Sequence, residues 1–258
     1  MSRFIDKLNQ VSQAIPQPMG FRTTQSALPK LKIQLVANLT QAVDNLADYV
    51  TDADAGLVPN SKLSGKAETL QKISQVMTNI PWGGWLRDIN QEDIKQLIKI
   101  GCDFVVFPAA NTPLAISQND ELGKILEVEA SLSEGLLQAI NGLPVDAVLI
   151  AAEHEKDYPL TWHHLMLFQR FANSLTKPLL VSIPSNVTAS ELQTLWETGV
   201  DGVVLEVGAK QAAKRLKELR QSIDGLDFSS KRNRGKTEAL LPFVGRESDI
   251  VAEEEEEE

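Results

Sequence analysis

Carboxylates recur inside short apolar runs of this sequence, and these residues are the first candidates for chemistry. Glu127 and Glu129 alternate with apolar residues, and Glu206 ends a run of three apolar residues. A carboxylate on an inner wall is costly unless it is paired, bound to a metal, or used as an acid or base. The pattern therefore predicts a polar site where these runs end.

Three further polar side chains lie within or directly after apolar runs. Asn38 ends one apolar run, Arg87 follows another and Ser182 lies in a third. We interpret Arg87, Glu127 and Glu206 as catalytic candidates, since carboxylates move protons and an arginine holds an anionic substrate. Asn38, Arg87 and Ser182 are the candidates for binding a small-molecule substrate.

Two carboxylates are candidate metal ligands. Glu129 ends one apolar run and Glu153 follows the next. Neighbouring parallel strands lie about 4.8 Å apart, so both groups can reach one hard cation such as Mg²⁺ or Mn²⁺. The structural alternative is an internal ion pair of Arg87 with Glu127 or Glu129.

Several other kinds of site need residues that this sequence does not place suitably. Cys102 is the single cysteine, which excludes an intrachain disulfide and a cysteine-rich zinc site. We expect no lysine within a strand, which disfavours a Schiff-base enzyme. His163 and His164 are adjacent on a predicted helix and point in different directions, so they are predicted to be surface or packing residues. After the last two strands only Gly208 suits phosphate, and the nearby Glu206 would repel it.

These candidates need elements to position them. Eight apolar runs of strand length are Ile33–Asn38, Ala55–Pro59, Trp82–Arg87, Phe104–Pro108, Ile125–Glu129, Ala147–Ala151, Leu179–Ile183 and Val203–Val207. Helical periodicity follows at Lys66–Thr78, Glu92–Ile100, Leu132–Ile140, Thr161–Leu175, Ala189–Thr198 and Ala209–Ile223. Ser131 with Glu134 and Thr188 with Glu191 have capping-box spacing.

The joints between helices and strands repeat a glycine followed two residues later by aspartate. Gly101 precedes Asp103 and Gly199 precedes Asp201, with a looser copy around Gly142. The glycine is typical of a left-handed helix end. Eight strand-helix units predict a (β/α)8 barrel of the TIM type. A doubly wound open sheet is the alternative, although no G-x-G-x-x-G follows the first strand.

The two ends depart from this alternation. Residues 1–30 form a predicted N-terminal helical extension, whose amphipathic stretch closes the barrel or docks a partner or a membrane surface. The barrel is assigned to residues 31–225. Residues 226–258 read as a disordered acidic tail that contains the apolar patch Leu240–Val244 and the run Glu253–Glu258, whose roles the sequence leaves open.

Composition limits the partners. The formal net charge of the 258-residue chain is −10, of which the terminal glutamates contribute six, so the body is only mildly acidic. A basic nucleic-acid surface is therefore not expected. No window of about 20 apolar residues suggests a membrane span, and no signal region is apparent. We expect a cytoplasmic protein, and the sequence leaves a homo-oligomer open.

The middle of the chain resembles the metal-dependent class II aldolases of the HpcH/HpaI type, which are TIM barrels. The matching passages are Pro81–Arg87, Leu97–Pro108 with Asn111-Thr112, Leu126–Ala130 and Pro144–Ile150. The resemblance implies that Glu129 is the metal-binding glutamate, with the second carboxylate near Glu153 or Glu155. It also implies that Arg87 holds the substrate.

Two segments depart from that family. Its base histidine would fall in Gly56–Ser61, which contains no histidine, and residues 151–155 lack its Gly-Pro-x-Asp pattern. The function expected from the resemblance is a metal-assisted lyase acting on a small oxo-acid. The alternative is a non-catalytic barrel that serves as a binding or scaffold protein, and the sequence leaves open whether the chain is an enzyme.

Overall fold

Eight parallel strands close into one barrel in chain order, as the sequence predicted. The computed structural model describes residues 2–12, 32–39, 51–59, 74–75, 77, 79–87, 91–151, 159–206 and 212–227. The strands are β1 (Gln34–Asn38), β2 (Ala55–Pro59), β3 (Trp82–Trp85), β4 (Phe104–Pro108), β5 (Gly123–Val128), β6 (Ala147–Ile150), β7 (Leu179–Ile183) and β8 (Gly202–Glu206).

Helices flank these strands in the described part of the chain. They are α1 (Arg3–Ser12), α2 (Gln91–Lys99), α3 (Glu134–Ala139), α4 (Trp162–Ser174), α5 (Ala189–Thr198) and α6 (Ala212–Asp224), with short 3-10 helices at Leu114–Gln118 and Ile140–Gly142. This alternation is the predicted (β/α)8 architecture. No described helix has both the length and the apolar character that a membrane crossing requires.

Side-chain alternation along the strands separates two apolar clusters. The outer cluster packs strand residues such as Leu126, Val128 and Leu205 against the helices. The inner cluster fills the barrel and consists of Phe4, Ile5, Leu8, Val36, Ala55, Leu57, Phe104, Val106, Ile125, Ala147, Leu149, Leu180 and Val204. Because side chains alternate between the two faces of a strand, these clusters fix which strand residues face inward.

Helix α1 closes the barrel at the amino-terminal ends of the strands. Its buried residues Phe4, Ile5 and Leu8 belong to the inner cluster, and the rings of Phe4 and Phe104 lie 4.7 Å apart. A Cβ on Gly123 would lie 2.5 Å from Ile5 Cγ1, so this close approach requires a residue without a side chain. The prediction of a closing helix is confirmed, and the carboxyl-terminal ends of the strands lie at the opposite end of the barrel.

An aspartate precedes every even-numbered strand and ties it to another element. Asp54, Asp146 and Asp201 each accept a hydrogen bond, of 2.7 to 2.8 Å, from a backbone N–H in or at the start of the preceding strand. Asp103 instead accepts from Arg3 N and Phe4 N, both at 2.9 Å, and thereby caps α1. The predicted positions of Asp103 and Asp201 at strand starts are confirmed.

Helix ends confirm some local predictions and correct others. Gly101 and Gly199 have φ of 82° and 104°, as a left-handed helix end requires, whereas Gly142 belongs to a 3-10 helix. Thr188 and Glu191 form the predicted capping box, with Thr188 N donating to Glu191 Oε2 at 2.7 Å.

The other predicted box is wrong. The residue that caps α3 is Ser133, and the hydroxyl of Ser131 donates to Glu129 Oε2 at 3.2 Å instead. A Ser/Thr-x-x-Glu spacing is necessary for a capping box, but the chain must also enter the helix at that serine, which the spacing does not specify. The helix expected at Lys66–Thr78 falls largely outside the described residues. Residues 13–31 and the tail from residue 228 lie entirely outside them.

Candidate functional site

A polar rim lies above the apolar interior, at the carboxyl-terminal ends of the strands. Val36, Ile125 and Val204 belong to the inner cluster, and the next inward positions on the same strands are Asn38, Glu127 and Glu206. Ser182 follows the inner residue Leu180 on β7 in the same way. The alternation of these residues with apolar ones along each strand therefore places their side chains inward, whereas their roles remain predictions.

Glu127 occupies the inner wall of this rim and has a specific partner. The Nε1–H of Trp85 donates to Glu127 Oε2 at 2.5 Å, and Trp85 itself packs against the inner cluster. The bond reaches across β4, because Trp85 pairs in register with Val106 and Glu127 pairs with Pro108. Glu127 is half-buried, and the hydrogen bond from Trp85 orients its carboxylate.

Asn38 and Glu206 form the second polar pair of the rim. They are register partners on β1 and β8, so their Cα atoms lie at the same level on neighbouring strands. Asn38 is buried, with 6% of its surface exposed, and its Oδ1 has no hydrogen-bond partner in the described part of the chain. Glu206 is exposed at the end of its strand.

Arg87 lies beyond the end of β3 and is exposed. The predicted ion pair of Arg87 with Glu127 or Glu129 does not occur among the described contacts, in which Glu127 is held by the indole of Trp85. An exposed guanidinium at this end of the barrel is available to an anionic ligand, which is the role predicted for it.

Of the two metal-ligand candidates, only Glu129 lies in the described part of the chain. Glu129 follows β5 directly, is exposed and accepts a hydrogen bond from Ser131. Glu153, like its alternative Glu155, lies outside the described residues. Among the residues described, no three His, Cys, Asp or Glu side chains are grouped to hold a metal ion. The metal site of Glu129 and Glu153 therefore stays a prediction.

The expectation of no lysine in a strand is wrong, because β5 begins two residues earlier than predicted and includes Lys124. Lys124 lies between the inward positions of Gly123 and Ile125, so its side chain faces outward at the closed end. Its Nζ is 3.8 Å from Asp120 Oδ1. Lys124 is therefore remote from the rim. None of the described strand residues is a lysine that could form a Schiff base at the rim.

Two other titratable groups have structural roles. His164 accepts a hydrogen bond from Thr161 N at 3.0 Å and caps α4, consistent with its predicted assignment to the surface or to packing. Burial lowers the pKa of Lys177 below its ordinary value, and Asp146 opposes this shift. Lys177 Nζ donates to Leu143 O and Val145 O at 2.8 and 2.6 Å, which secures the segment before β6.

Sequence reasoning missed Trp85 as a site residue. The signal was present, since Trp85 ends a strand and a buried indole N–H needs an acceptor. The acceptor could not be named, because β3 and β5 are separated by β4 and pairing across an intervening strand leaves no spacing in the sequence.

Comparisons with known proteins support the fold. A scan of protein-family models finds no match, and neither does a search of curated proteins. Among solved structures, a variant tryptophan synthase alpha subunit from Pyrococcus furiosus has a TM-score of 0.59 at 11% identity, covering 76% of this chain and 98% of that chain. Tryptophan synthase from M. tuberculosis has a TM-score of 0.53 at 14% identity, covering 75% and 91%.

These similarities support the TIM barrel that the HpcH/HpaI resemblance implied. They do not support a relationship to those aldolases. At 10–14% identity the similarity to the tryptophan synthase chains shows a shared architecture and nothing of the reaction. The chain is thus a TIM barrel, and its chemistry has to be argued from its own rim residues.

Proposed function

We propose that this barrel is a lyase-like enzyme that acts on a small oxo-acid, with Glu127 as its acid-base group. The observation that carries the proposal is the hydrogen bond from Trp85 to Glu127 at 2.5 Å, directly above a closed apolar interior. A carboxylate oriented by a hydrogen bond above an apolar floor has a placement suited to proton transfer with a bound molecule.

Arg87 supplies the complementary charge in this proposal. Its guanidinium pairs with the substrate carboxylate, as the fork geometry of arginine favours. When Arg87 holds the substrate carboxylate near the end of β3, the carbon chain of a small substrate extends over the inner wall toward Glu127 on β5. Ser182 and Asn38 then contribute hydrogen bonds from β7 and β1.

The reaction can be written without a cofactor. Glu127 removes the hydroxyl proton of a 4-hydroxy-2-oxo acid, and the bond between C3 and C4 breaks. An aldehyde leaves, and the bonding electrons form the enolate of the shorter oxo-acid. Glu127 then returns its proton to C3, so the proton has moved from oxygen to carbon and the carboxylate is regenerated.

The metal-assisted version stays a prediction that depends on Glu129 and Glu153. In that version Glu129 and Glu153 would hold Mg²⁺ or Mn²⁺, which would supply positive charge for the oxygen of the oxo group. Millimolar Mg²⁺ or Mn²⁺ should then raise the melting temperature by mass action, and Glu129→Gln should abolish the rise. A melting curve that neither cation moves would remove the metal and leave the acid-base route of Glu127 intact.

The alternative is a barrel that binds a small molecule without catalysis. One observation favours it: the Trp85 bond gives Glu127 a structural role that needs no reaction. The two accounts differ in what Glu127→Gln does. Glutamine keeps an oxygen that can accept the indole N–H, so a structural role survives the change and proton transfer does not.

The discriminating experiment is a cleavage assay with short 4-hydroxy-2-oxo acids, in which pyruvate release is coupled to oxidation of NADH by lactate dehydrogenase. We expect cleavage by the unchanged protein, a loss of about 100- to 10,000-fold with Glu127→Gln, and a raised KM with Arg87→Gln. The matched control is Glu134→Gln, which replaces an exposed carboxylate at the start of α3. Cleavage that Glu127→Gln leaves unchanged would overturn the proposed role of Glu127.

A further inference from the structure

Asn38 Oδ1 is a buried acceptor that lacks a donor at the rim of the barrel. The side chain is 6% exposed, and no described group donates to this oxygen. Its inward orientation follows from its strand, since Val36 faces the interior while Leu35 and Ala37 face the helices. A buried acceptor without a donor costs about 1–3 kcal/mol of stability. A ligand that donates a hydrogen bond to Asn38 Oδ1 would remove this cost.

The groups around this oxygen are acceptors as well. Glu206 is the register partner of Asn38 on β8, and neighbouring parallel strands lie about 4.8 Å apart. Across the barrel the remaining carboxylate of the inner wall is Glu127. Among the described inward-facing strand positions, the charged side chains are Glu127 and Glu206, and there is no lysine or arginine.

A ligand that complements this wall must donate hydrogen bonds and carry positive charge. A primary ammonium group has three donors and no acceptor, which matches an amide oxygen beside a carboxylate. Its hydrogen bond to Glu206 is charge-assisted, and such bonds are the strong ones. A phosphate or a second carboxylate at this place would instead be repelled by Glu206.

We propose that the rim binds the ammonium group of its substrate between Asn38 Oδ1 and the carboxylate of Glu206. This rests on the proposed function and narrows its substrate class, from a small oxo-acid to one that also bears an amine. The carboxylate of such a molecule is held by Arg87 beyond β3, and the amine is held by β1 and β8. The two charges of the ligand are thus recognised on different strands.

The test uses three matched probes, n-butylammonium chloride, n-butanol and sodium butyrate, at constant ionic strength. Binding is followed by the NMR signal of the Trp85 indole N–H, which lies at the rim and is assigned by its loss in Trp85→Phe. We expect n-butylammonium to bind at least tenfold more tightly than n-butanol. Glu206→Gln and Asn38→Leu should each weaken n-butylammonium binding at least fivefold.

Gln34→Leu is the matched control for Asn38→Leu. Gln34 lies on the same strand with the same inward parity, and its Oε1 is also buried without a described partner, but at the end closed by α1. Its substitution should leave n-butylammonium binding unchanged. Asn38→Leu should also raise the melting temperature, because it removes an unsatisfied acceptor. Should Asn38→Leu not fold, Glu206→Gln carries the test alone.

The outcomes separate this inference from the proposed function. If n-butylammonium binds no more tightly than n-butanol, or if Glu206→Gln and Asn38→Leu both leave its affinity unchanged, the ammonium site is wrong and a water molecule satisfies Asn38. A second outcome is that n-butylammonium binds as expected while sodium butyrate shows no binding near Arg87. The ammonium site then stands. In that case the oxo-acid function is wrong.

Discussion

Cys102 shows how a single residue is fixed by its surroundings. The residue is buried just before β4, and its thiol donates to Phe104 O at 3.2 Å. Burial raises the pKa of Cys102 to about 12, partly offset by backbone hydrogen bonds. The thiol is therefore protonated near neutral pH in the folded protein, as befits a small buried residue.

A pH dependence of stability follows from that shift. The unfolded thiol releases its proton near its ordinary pKa, whereas the folded thiol retains it to about 12. The stabilisation is thus complete below the ordinary pKa and is lost as the pH rises toward 12. Between pH 8 and pH 10, we expect the unchanged protein to lose about 1–2 kcal/mol more of its unfolding free energy than Cys102→Ala. Urea unfolding of both proteins at the two pH values measures this, and parallel losses would contradict it.

Single residues also show how far the sequence determines the site. Glu127 could be placed on the inner wall from its alternation with Leu126 and Val128, because the outer residues of a barrel strand must be apolar. Its partner Trp85 could not be identified, since the closure of the barrel sets which inward side chains meet. Glu129 lies just past β5 and is exposed, because alternation no longer constrains a residue once its strand has ended.

At the scale of elements, the attachment of α1 to the barrel depends on one side chain. Asp103 accepts both N-terminal N–H groups of α1 and the hydroxyl of Ser2 at 2.7 Å. The amphipathic pattern of residues 4–15 predicted a closing helix. It could not predict that an aspartate about 100 residues later caps this helix. The spacing Gly-x-Asp is the same before β4 and β8, so it does not show which aspartate binds a helix and which binds a strand.

Asp103→Ala should therefore lower the unfolding free energy by about 1–3 kcal/mol, since the first turn of α1 loses its cap and a buried hydroxyl loses its acceptor. Asp120→Ala is the control, because the fully exposed side chain of Asp120 forms only a 3.8 Å surface ion pair with Lys124. Chemical unfolding of both variants gives the comparison. Equal losses would mean that α1 is held by its apolar face alone.

For the molecule as a whole, strand count, strand order and the closing helix could be predicted from the sequence, because each follows from local apolar periodicity and chain length. Strand ends moved by one or two residues, as at β5 and β8, because hydrogen bonding to neighbouring strands decides where a strand begins. The domain limits at residues 30 and 225 stay predictions.

Removing residues 228–258 should change the melting temperature by less than about 2 °C, because a charged sequence rich in helix breakers buries little surface. The cut keeps Leu226, which packs against the outer cluster, and Asp227, which exchanges hydrogen bonds with Gln193. Calorimetry of the shortened chain is the measurement. A large fall would show that the patch Leu240–Val244 docks on the barrel.

The most direct measurement of the central claim is deuterium exchange into the methyl group of pyruvate in D₂O, followed by loss of the proton NMR signal. If Glu127 transfers protons to and from an oxo-acid, the unchanged protein and Glu134→Gln exchange this methyl group faster than buffer does. Glu127→Gln should then be slower by about 100-fold or more. Exchange at the buffer rate in the unchanged protein, or equal rates with Glu127→Gln, would contradict a catalytic Glu127.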